Sequence, residues 1–246
     1  MKISVVTATY NSSKTVGDCI DSVNRQSYSD VEHIVVDGGS TDGTVDLVRA
    51  TASRNAKVTS EPDDGIYDAL NKGIARSTGE VIGFLHSDDF YPCHDILADV
   101  GMALQDPDVK AVYGDLQYVR KDNTSKVVRH WRSQRFSPGL LEKGWMPPHP
   151  TLFVKREAYQ KIGGFDRRFS ISADYHSVLR LFRHEGFRCV YLPRILVKMR
   201  VGGASNRSLA NIILKSRQDL QALRETGVGG WWTLARKNLS KVSQFV

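Results

Sequence analysis

Short apolar runs alternate with amphipathic stretches through the first half of the chain, and polar turns separate them. Ile3 to Ala8 is rich in β-branched residues and predicts a strand buried on both faces. Asn11-Ser12-Ser13 follows with side chains suited to capping a helix from about Lys14 to Gln26. His33 to Val36 predicts a second strand, and Asp37-Gly38-Gly39-Ser40-Thr41-Asp42-Gly43 a turn into a helix ending near Ser53. Further strands are expected near Lys57 to Ser60 and over Val81 to Leu85, with helices over Ile66 to Arg76 and Asp95 to Leu104. This alternation predicts an α/β fold, a mostly parallel sheet flanked by helices, with a ligand crevice outside the carboxyl ends of its strands. Thr9, Asp37 and Asp88 all fall just after predicted strands, so the sheet should gather them onto one rim. From Ala111-Val112-Tyr113-Gly114-Asp115 onward the pattern changes to strands and loops, with Tyr118, Val127-Val128 and Trp131 as β material.

The 246 residues, 41% hydrophobic and 25% charged, suffice for one large domain with a sizeable core, followed by a basic helical tail. A formal charge of +7 points to anionic partners. No recognition-helix signature, zinc module or aromatic-rich single-strand motif accompanies that charge, which argues against nucleic acid. Cys19, Cys93 and Cys189 are odd in number and widely spaced, a pattern that fits a reducing cytosol better than a disulfide framework. The start of the chain enters a strand instead of a signal region, and no run approaches the roughly 18 apolar residues of a membrane span. A cytoplasmic protein is expected, with a peripheral place at the inner face of the membrane open to it.

Asp88-Asp89 is the sharpest chemical feature. Two neighbouring carboxylates after a buried strand repel each other unless they diverge, and a hard divalent cation or ligand hydroxyls are their usual partners. Alternation along a strand would point them to opposite faces. With Asp37 after an earlier strand and Asp174 opening a later helix, the pair suggests a site for a metal-bound nucleotide diphosphate. His86 fits a hydrogen-bonded structural role.

Thr7-Ala8-Thr9-Tyr10-Asn11, Val35-Val36-Asp37-Gly38-Gly39-Ser40-Thr41-Asp42-Gly43-Thr44, Asp64-Gly65-Ile66-Tyr67-Asp68-Ala69-Leu70-Asn71-Lys72-Gly73 and Ser87-Asp88-Asp89 together closely resemble the family 2 glycosyltransferases. His149-Pro150-Thr151, Gly163-Gly164-Phe165-Asp166 and Ala173-Asp174-Tyr175 extend the likeness over roughly residues 1 to 205. The resemblance implies a GT-A-type, Rossmann-like fold and sugar transfer, with inversion, from a nucleoside diphosphate sugar to an acceptor hydroxyl. It further implies that Thr7, Thr9 and Asp37 hold the nucleotide, Asp37 near the base. Asp88 would lie near the ribose or diphosphate, and Asp89 would ligate Mg²⁺ or Mn²⁺. Asp64, Asn71 and Lys72 would lie near the donor. Asp174 resembles the catalytic base, although the family's common Glu-Asp pair stands here as Ala173-Asp174. UDP-sugars are the default donors, with GDP- and dTDP-sugars open.

His149 sits in the constrained segment Met146-Pro147-Pro148-His149-Pro150-Thr151, which is expected to border the acceptor pocket, and Trp145 offers either a sugar-stacking face or core packing. Arg200 and the adjacent glycines suggest a lid over the diphosphate. Residues 206 to 246 read as a tail whose helical wheel puts Trp231, Leu234, Ala235, Leu239, Val242, Phe245 and Val246 on one apolar face, with Arg236, Lys237, Ser240, Ser243 and Gln244 opposite. Membrane-surface attachment and packing on protein both fit such a helix, and a lipid-linked saccharide acceptor in bacterial surface polysaccharide assembly would favour attachment. Two other functions stay open on the residues: a noncatalytic nucleotide-sugar-binding assembly protein, and a sugar nucleotidyltransferase. The latter would carry an early Gly-rich basic loop, which Thr7-Ala8-Thr9-Tyr10-Asn11 lacks.

Overall fold

A computed structural model describes residues 1–202 and 209–240. Strands β1 (Ile3–Thr9), β2 (Val31–Asp37), β3 (Lys57–Ser60) and β4 (Val81–Phe84) run parallel, in the order β3-β2-β1-β4. Helices α1 (Val16–Asn24), α2 (Thr44–Thr51) and α3 (Ile66–Arg76) make the crossovers, and α4 (Ile96–Ala103) follows the short strand β5 (Asp89–Phe90). The sheet continues through β8 (Phe153–Lys155), β6 (Val109–Val119), β9 (Arg188–Arg200) and β5, while β7 (Val127–Trp131) pairs with β6. Strand β8 is antiparallel to both β4 and β6, so it reverses direction between two parallel blocks. The result is a mixed, mostly parallel sheet flanked by helices.

The central strand β1 is buried along its whole length, which explains its unbroken apolar and hydroxyl sequence. Its Val6 and Ala8 join the core with Ala69 and Leu70 of α3, and its Ile3 and Val5 pack with Cys19 and Val23 of α1. Helix α1 buries Val16, Cys19, Ile20 and Val23, the spacing of one helical face. Helix α3 approaches β1 at Gly73, where a Cβ would lie 2.2 Å from Val6 Cγ1. A larger residue there would push the helix off the sheet.

One local expectation resolves differently. Asn11, Ser12 and Ser13 do not cap α1, whose N-cap Thr15 makes no side-chain capping bond. They tie the loop after β1 to the loop after β2 instead. Thr41 N donates to Asn11 Oδ1 (3.0 Å), Asn11 N to Ser40 Oγ (2.8 Å), Ser12 N to Thr44 Oγ1 (2.8 Å) and Ser13 N to Asp42 Oδ2 (3.0 Å). Two strand-end loops are thereby fixed to each other at the rim of the sheet.

The second half supplies α5 (Gly139–Glu142), a 3₁₀ turn at His149–Thr151, α6 (Arg156–Ile162) and α7 (Ala173–Arg183). Helices α8 (Leu209–Glu225) and α9 (Trp231–Leu239) close the described chain. Leu220, Ala222, Leu223 and Leu234 belong to the same core cluster as Tyr175, Val178 and Leu179 of α7. The segment read as a tail therefore packs on the main domain. Its helical wheel needs correcting, because α9 buries Thr233, Leu234 and Lys237 and exposes Trp231, Trp232 and Leu239. Lys237, expected on the solvent face, is buried because Asp219 waits for it at 2.7 Å and the Tyr175 ring receives its ammonium at 3.2 Å. Val242, Phe245 and Val246 lie outside the described residues, as does the second glycine of the expected lid, Gly203.

Candidate active site

The strand ends present two buried aspartates in opposite states. Asp37, at the end of β2, is 1% exposed. Its Oδ2 accepts from Gly39 N (3.0 Å), Ser40 N (2.8 Å) and Ser60 Oγ (2.7 Å), and its Oδ1 accepts from Ser40 Oγ. Asp89, in β5, is 0% exposed and neither carboxyl oxygen has a hydrogen-bond partner among the described residues. Burial pushes its carboxyl well above the usual range, the neighbouring Asp88 pushes further, and the Arg200 charge and the approach of the Arg200 backbone N–H work against both.

The acidic pair is divided between a turn and a strand and does not alternate along one strand. Leu85 N donates to Val6 O (3.0 Å) at the end of β4, and Asp89 N donates to His86 O (2.9 Å). His86, Ser87 and Asp88 thus form the turn, with Asp88 half-buried, before Asp89 enters β5 opposite Met199 of β9. Arg200, the next residue of β9, donates to the Asp88 carbonyl (2.9 Å) and pairs with Asp18. A cleft of about 520 Å³ opens beside it, where Lys14, Lys121 and Arg200 face Asp18 and Asp122.

Asp174 reaches the same region from α7. The Tyr67 hydroxyl lies 3.1 Å from Asp174 Oδ1 and 2.7 Å from the Ile171 carbonyl, so one phenolic proton serves both acceptors. Convergence is visible in the charges that act on two side chains. Burial pulls the His86 imidazole below its usual range while Asp88 and Asp174 both oppose it. Burial pushes Tyr118 up to about 12, with Arg129 opposing and both Asp89 and Asp174 adding to the rise. Residues 67, 86, 88, 89, 118 and 174 therefore share one electrostatic neighbourhood. His149 belongs to it too, since burial pulls its imidazole down to about 4 against the field of Asp174. Its ring stacks on Phe84 at 5.5 Å, and its Nε2 has no partner among the described residues.

The other candidates sit in different surroundings. Thr7 is buried, with its hydroxyl 2.9 Å from His33 Nε2 and 3.7 Å from Cys19 Sγ, so it braces the layer between β1 and α1. The Thr9 hydroxyl, two residues further along, is buried without a partner among the described residues. Asn71 is a clamp: its side chain exchanges hydrogen bonds with Phe165 N (2.9 Å) and Phe165 O (2.8 Å). Gly164, at φ +72°, makes room for it, since a Cβ there would meet Asn71 Oδ1 at 2.6 Å. Lys72 is engaged by Pro62 O, Asp68 and Glu61, and the exposed Asp64 pairs with Arg167. Trp145 stands in an aromatic cluster with Tyr113, Phe136 and Phe182, the packing alternative of the two the sequence allows. Tyr67, Tyr118 and the anchoring role of Arg200 were missed by residue-level reasoning. Tyr67 did lie inside the quoted Asp64–Gly73 motif, one turn before the named Asn71.

The chemistry at Asp89 suits a hard cation: among the described residues, its two buried carboxyl oxygens have no side-chain hydrogen-bond partner. A different acidic group, Asp166, His176 and Glu225, has its ligand atoms within 4.8 Å of one another. Arg168 already satisfies it, with Nη2 at 2.6 Å from Asp166 Oδ2 and 3.2 Å from Glu225 Oε2.

The family model for glycosyl transferase family 2 matches residues 4–191. The chain belongs to that family. It is 30% identical over 217 residues to a PGL/p-HBAD biosynthesis glycosyltransferase of Mycobacterium bovis (strain BCG / Pasteur 1173P2), covering 86% of this chain and 82% of that one. An uncharacterized glycosyltransferase of Mycobacterium tuberculosis is 34% identical over 180 residues, 72% of this chain and 68% of the relative. Among solved structures, the fold is similar to mannosyltransferase PcManGT from Pyrobaculum calidifontis in complex with GDP-Man and Mn²⁺, with a TM-score of 0.67, 21% identity, and coverage of 98% of this chain and 74% of that chain. S. aureus TarS 1-349 in complex with UDP-GlcNAc gives a TM-score of 0.69 at 18% identity, over 93% of this chain and 66% of that one. The glycosyltransferase assignment places Asp88, Asp89 and Asp174 in an enzyme, which removes the sugar nucleotidyltransferase reading.

Proposed function

We propose that this glycosyltransferase moves a sugar, with inversion, from a nucleoside diphosphate sugar to a hydroxyl of a lipid-linked saccharide in bacterial surface polysaccharide assembly, working in the cytoplasm at the inner face of the membrane. A UDP-sugar is the favoured donor. The observation that carries the reading is that Asp88 and Asp174 both act on the His86 ring and Asp89 and Asp174 both act on the Tyr118 hydroxyl, with the buried Asp89 carboxyl oxygens lacking a side-chain partner among the described residues. The relatives support the donor class, since one neighbour in fold was solved with GDP-Man and Mn²⁺ and another with UDP-GlcNAc.

In this reading Thr9, Asp37 and Asp88 line the nucleotide end of the crevice, and Thr7 supports its floor from behind. Asp89, with Asp88 beside it, would hold Mn²⁺ or Mg²⁺. That cation supplies charge neutralisation for the departing diphosphate. Asp174 takes the proton of the acceptor hydroxyl as that oxygen attacks the anomeric carbon and the bond to the diphosphate breaks. Tyr67 holds the Asp174 carboxylate in place through Oδ1 and leaves Oδ2 for the acceptor. Base catalysis of this kind is worth about 10² to 10⁴ in rate. His149, neutral because it is buried, borders the acceptor side, and Trp145 backs that wall from the aromatic cluster. Asp64, Asn71 and Lys72 shape the donor side through their bonds to Arg167, Phe165 and Pro62.

The test is a panel of nucleotide sugars with and without Mn²⁺, scored for binding, slow donor hydrolysis and transfer. The expected result is metal-dependent binding of one sugar nucleotide, and an Asp174→Asn variant that binds the donor normally while transfer falls about 10² to 10⁴-fold. Wild-type turnover by Asp174→Asn would remove Asp174 as the base. Donor binding with neither hydrolysis nor transfer in the wild type would instead identify a noncatalytic assembly protein.

A further inference from the structure

Exposed apolar residues are unevenly distributed. Among the described residues ten large hydrophobic side chains are exposed, and six of them fall on α8 and α9: Ile212, Ile213, Leu214, Trp231, Trp232 and Leu239. Trp232 is 84% exposed and Leu239 70%. Neither helix lacks a core contact, because Leu220, Leu223 and Leu234 bury the inner faces. Among the described residues nothing covers the apolar side chains of the outer face.

The charges on that face have one sign. Ile213, Arg217, Gln221 and Arg224 recur every three or four residues along the exposed side of α8, and the Arg224 guanidinium lies 5.8 Å from the Trp231 ring centroid, where the stripe passes to α9. Trp232, Arg236 and Leu239 continue it with helical spacing. The two helices carry only two acids, and both are engaged inward or sideways. Asp219 is buried against Lys215 and Lys237, and Glu225 is paired with Arg168 and Gln221. What is left outside is guanidinium charge beside indole, aliphatic and neutral polar surface.

We propose that the outer face of α8 and α9 docks on an anionic lipid bilayer, with Trp231, Trp232 and Leu239 entering the headgroup boundary and Arg217, Arg224 and Arg236 contacting lipid phosphates. The inference rests on the peripheral placement proposed above and assigns it to residues. Indole rings have an apolar body and a polar N–H, which suits the interfacial layer, and Arg stems lie along apolar surface while the charge stays at the phosphates. Each such cation near an anionic surface is worth about fivefold in binding. No helix among the described residues is long and apolar enough to cross a membrane, so this mode is lateral attachment. The inner faces of the same helices grip the start of α7, which places the bilayer about one helix diameter, ~10 Å, from the segment that carries Asp174.

Vesicle flotation of the full chain tests this without reference to catalysis. Vesicles of phosphatidylcholine alone and of phosphatidylcholine with phosphatidylglycerol are compared at low and high salt. The wild type is expected to float with the anionic vesicles at low salt and to be released at high salt. Trp231→Ala/Trp232→Ala should weaken flotation on the order of tenfold, and each Arg→Gln change at 217, 224 or 236 about fivefold. Circular dichroism of each variant checks that these exposed changes leave the fold intact. Absence of flotation by the wild type, or equal flotation by the double tryptophan variant, overturns the proposal. So does sedimentation showing a wild-type dimer that the double variant abolishes, because the face would then belong to a second copy. A protein that floats as expected yet transfers no sugar would leave the docking face standing and remove the transfer reading alone.

Discussion

Asp37 and Asp89 stand on well-separated strands of one sheet, equally withdrawn from water, yet among the described residues one carboxylate accepts four hydrogen bonds and the other has only the approach of the Arg200 backbone N–H. Burial alone therefore does not tell what a carboxylate is for. A buried acid whose lone pairs are filled by its own turn is part of the scaffold that shapes the crevice, whatever else it touches. A buried acid left unfilled costs several kcal/mol to keep ionised, and it persists only where something outside the chain supplies the missing partner.

The largest effect expected from this contrast is at Asp89. Asp89→Asn should abolish the stabilisation that Mn²⁺ and donor give the wild type and reduce transfer at least ~10³-fold. In metal-free protein the same change should be neutral or stabilising by about 1–2 kcal/mol, because it removes a carboxyl that the fold can bury only by taking up a proton or desolvating a charge. Thermal melts with and without Mn²⁺ read both halves. A variant that melts lower than the wild type in the absence of metal would mean that Asp89 has a partner within the fold.

Asp37→Ala should behave in the opposite way. It leaves Gly39 N, Ser40 N and Ser60 Oγ without their acceptor, and the expected loss is about 2–4 kcal/mol in urea unfolding with or without metal. Donor binding should weaken as a consequence of the disordered turn. If instead stability is unchanged and only donor affinity falls, the carboxylate serves the ligand more than the loop.

Much of this was legible in the residues. β3 and α3 match their expected spans because turn residues bound short, strongly patterned runs on both sides. The rim position of Asp37 and Asp88 followed from strand ends alone, and the family motifs brought Asp174 to them. Hydrogen-bond state was not legible. Nothing in Asp37-Gly38-Gly39 or Ser87-Asp88-Asp89 distinguishes a filled carboxylate from an empty one, since the difference lies in a turn that aims backbone N–H groups at one and away from the other. The wheel of α9 failed for a similar reason: Lys237 could be assigned inward only by knowing that Asp219, eighteen residues away, was buried opposite it.

A smaller effect extends the contrast across the crevice to Gln218 of α8. Its Oε1 accepts from Ile171 N (2.9 Å) and Ser172 N (3.2 Å), and its Nε2 donates to Ser170 Oγ (3.0 Å), so α8 fixes the backbone that leads into Asp174. Gln218→Ala should cost about 1–3 kcal/mol and lower kcat on the order of tenfold through displacement of the base, with donor KM unchanged. Gln218→Glu keeps an acceptor for both N–H groups and should recover most of kcat. An equal loss in both variants would assign the effect to packing.

The smallest effect is on the acid limb of stability. Burial holds the His33 imidazole down at about 4, so its contribution is intact above the ordinary value of 6.5 and is lost as pH falls toward 4. Burial also works against the charge of Glu32, but hydrogen bonds from Ser4, Thr78 N–H, Lys57 and the Thr78 hydroxyl outweigh it and hold this carboxyl well below its ordinary 4.5. Its contribution is present above 4.5 and is lost as pH falls below that value, so the two groups fail in succession on acidification. Urea unfolding as a function of pH should therefore show a decline between about 6.5 and 4 that His33→Gln flattens, followed by a steeper one that Glu32→Gln flattens. Glu32, like Asp37, is a filled carboxylate, and its removal should leave Mn²⁺-dependent donor binding at neutral pH unchanged. If Glu32→Gln lowered donor affinity as Asp89→Asn does, the division between filled and unfilled acids would not separate scaffold from site.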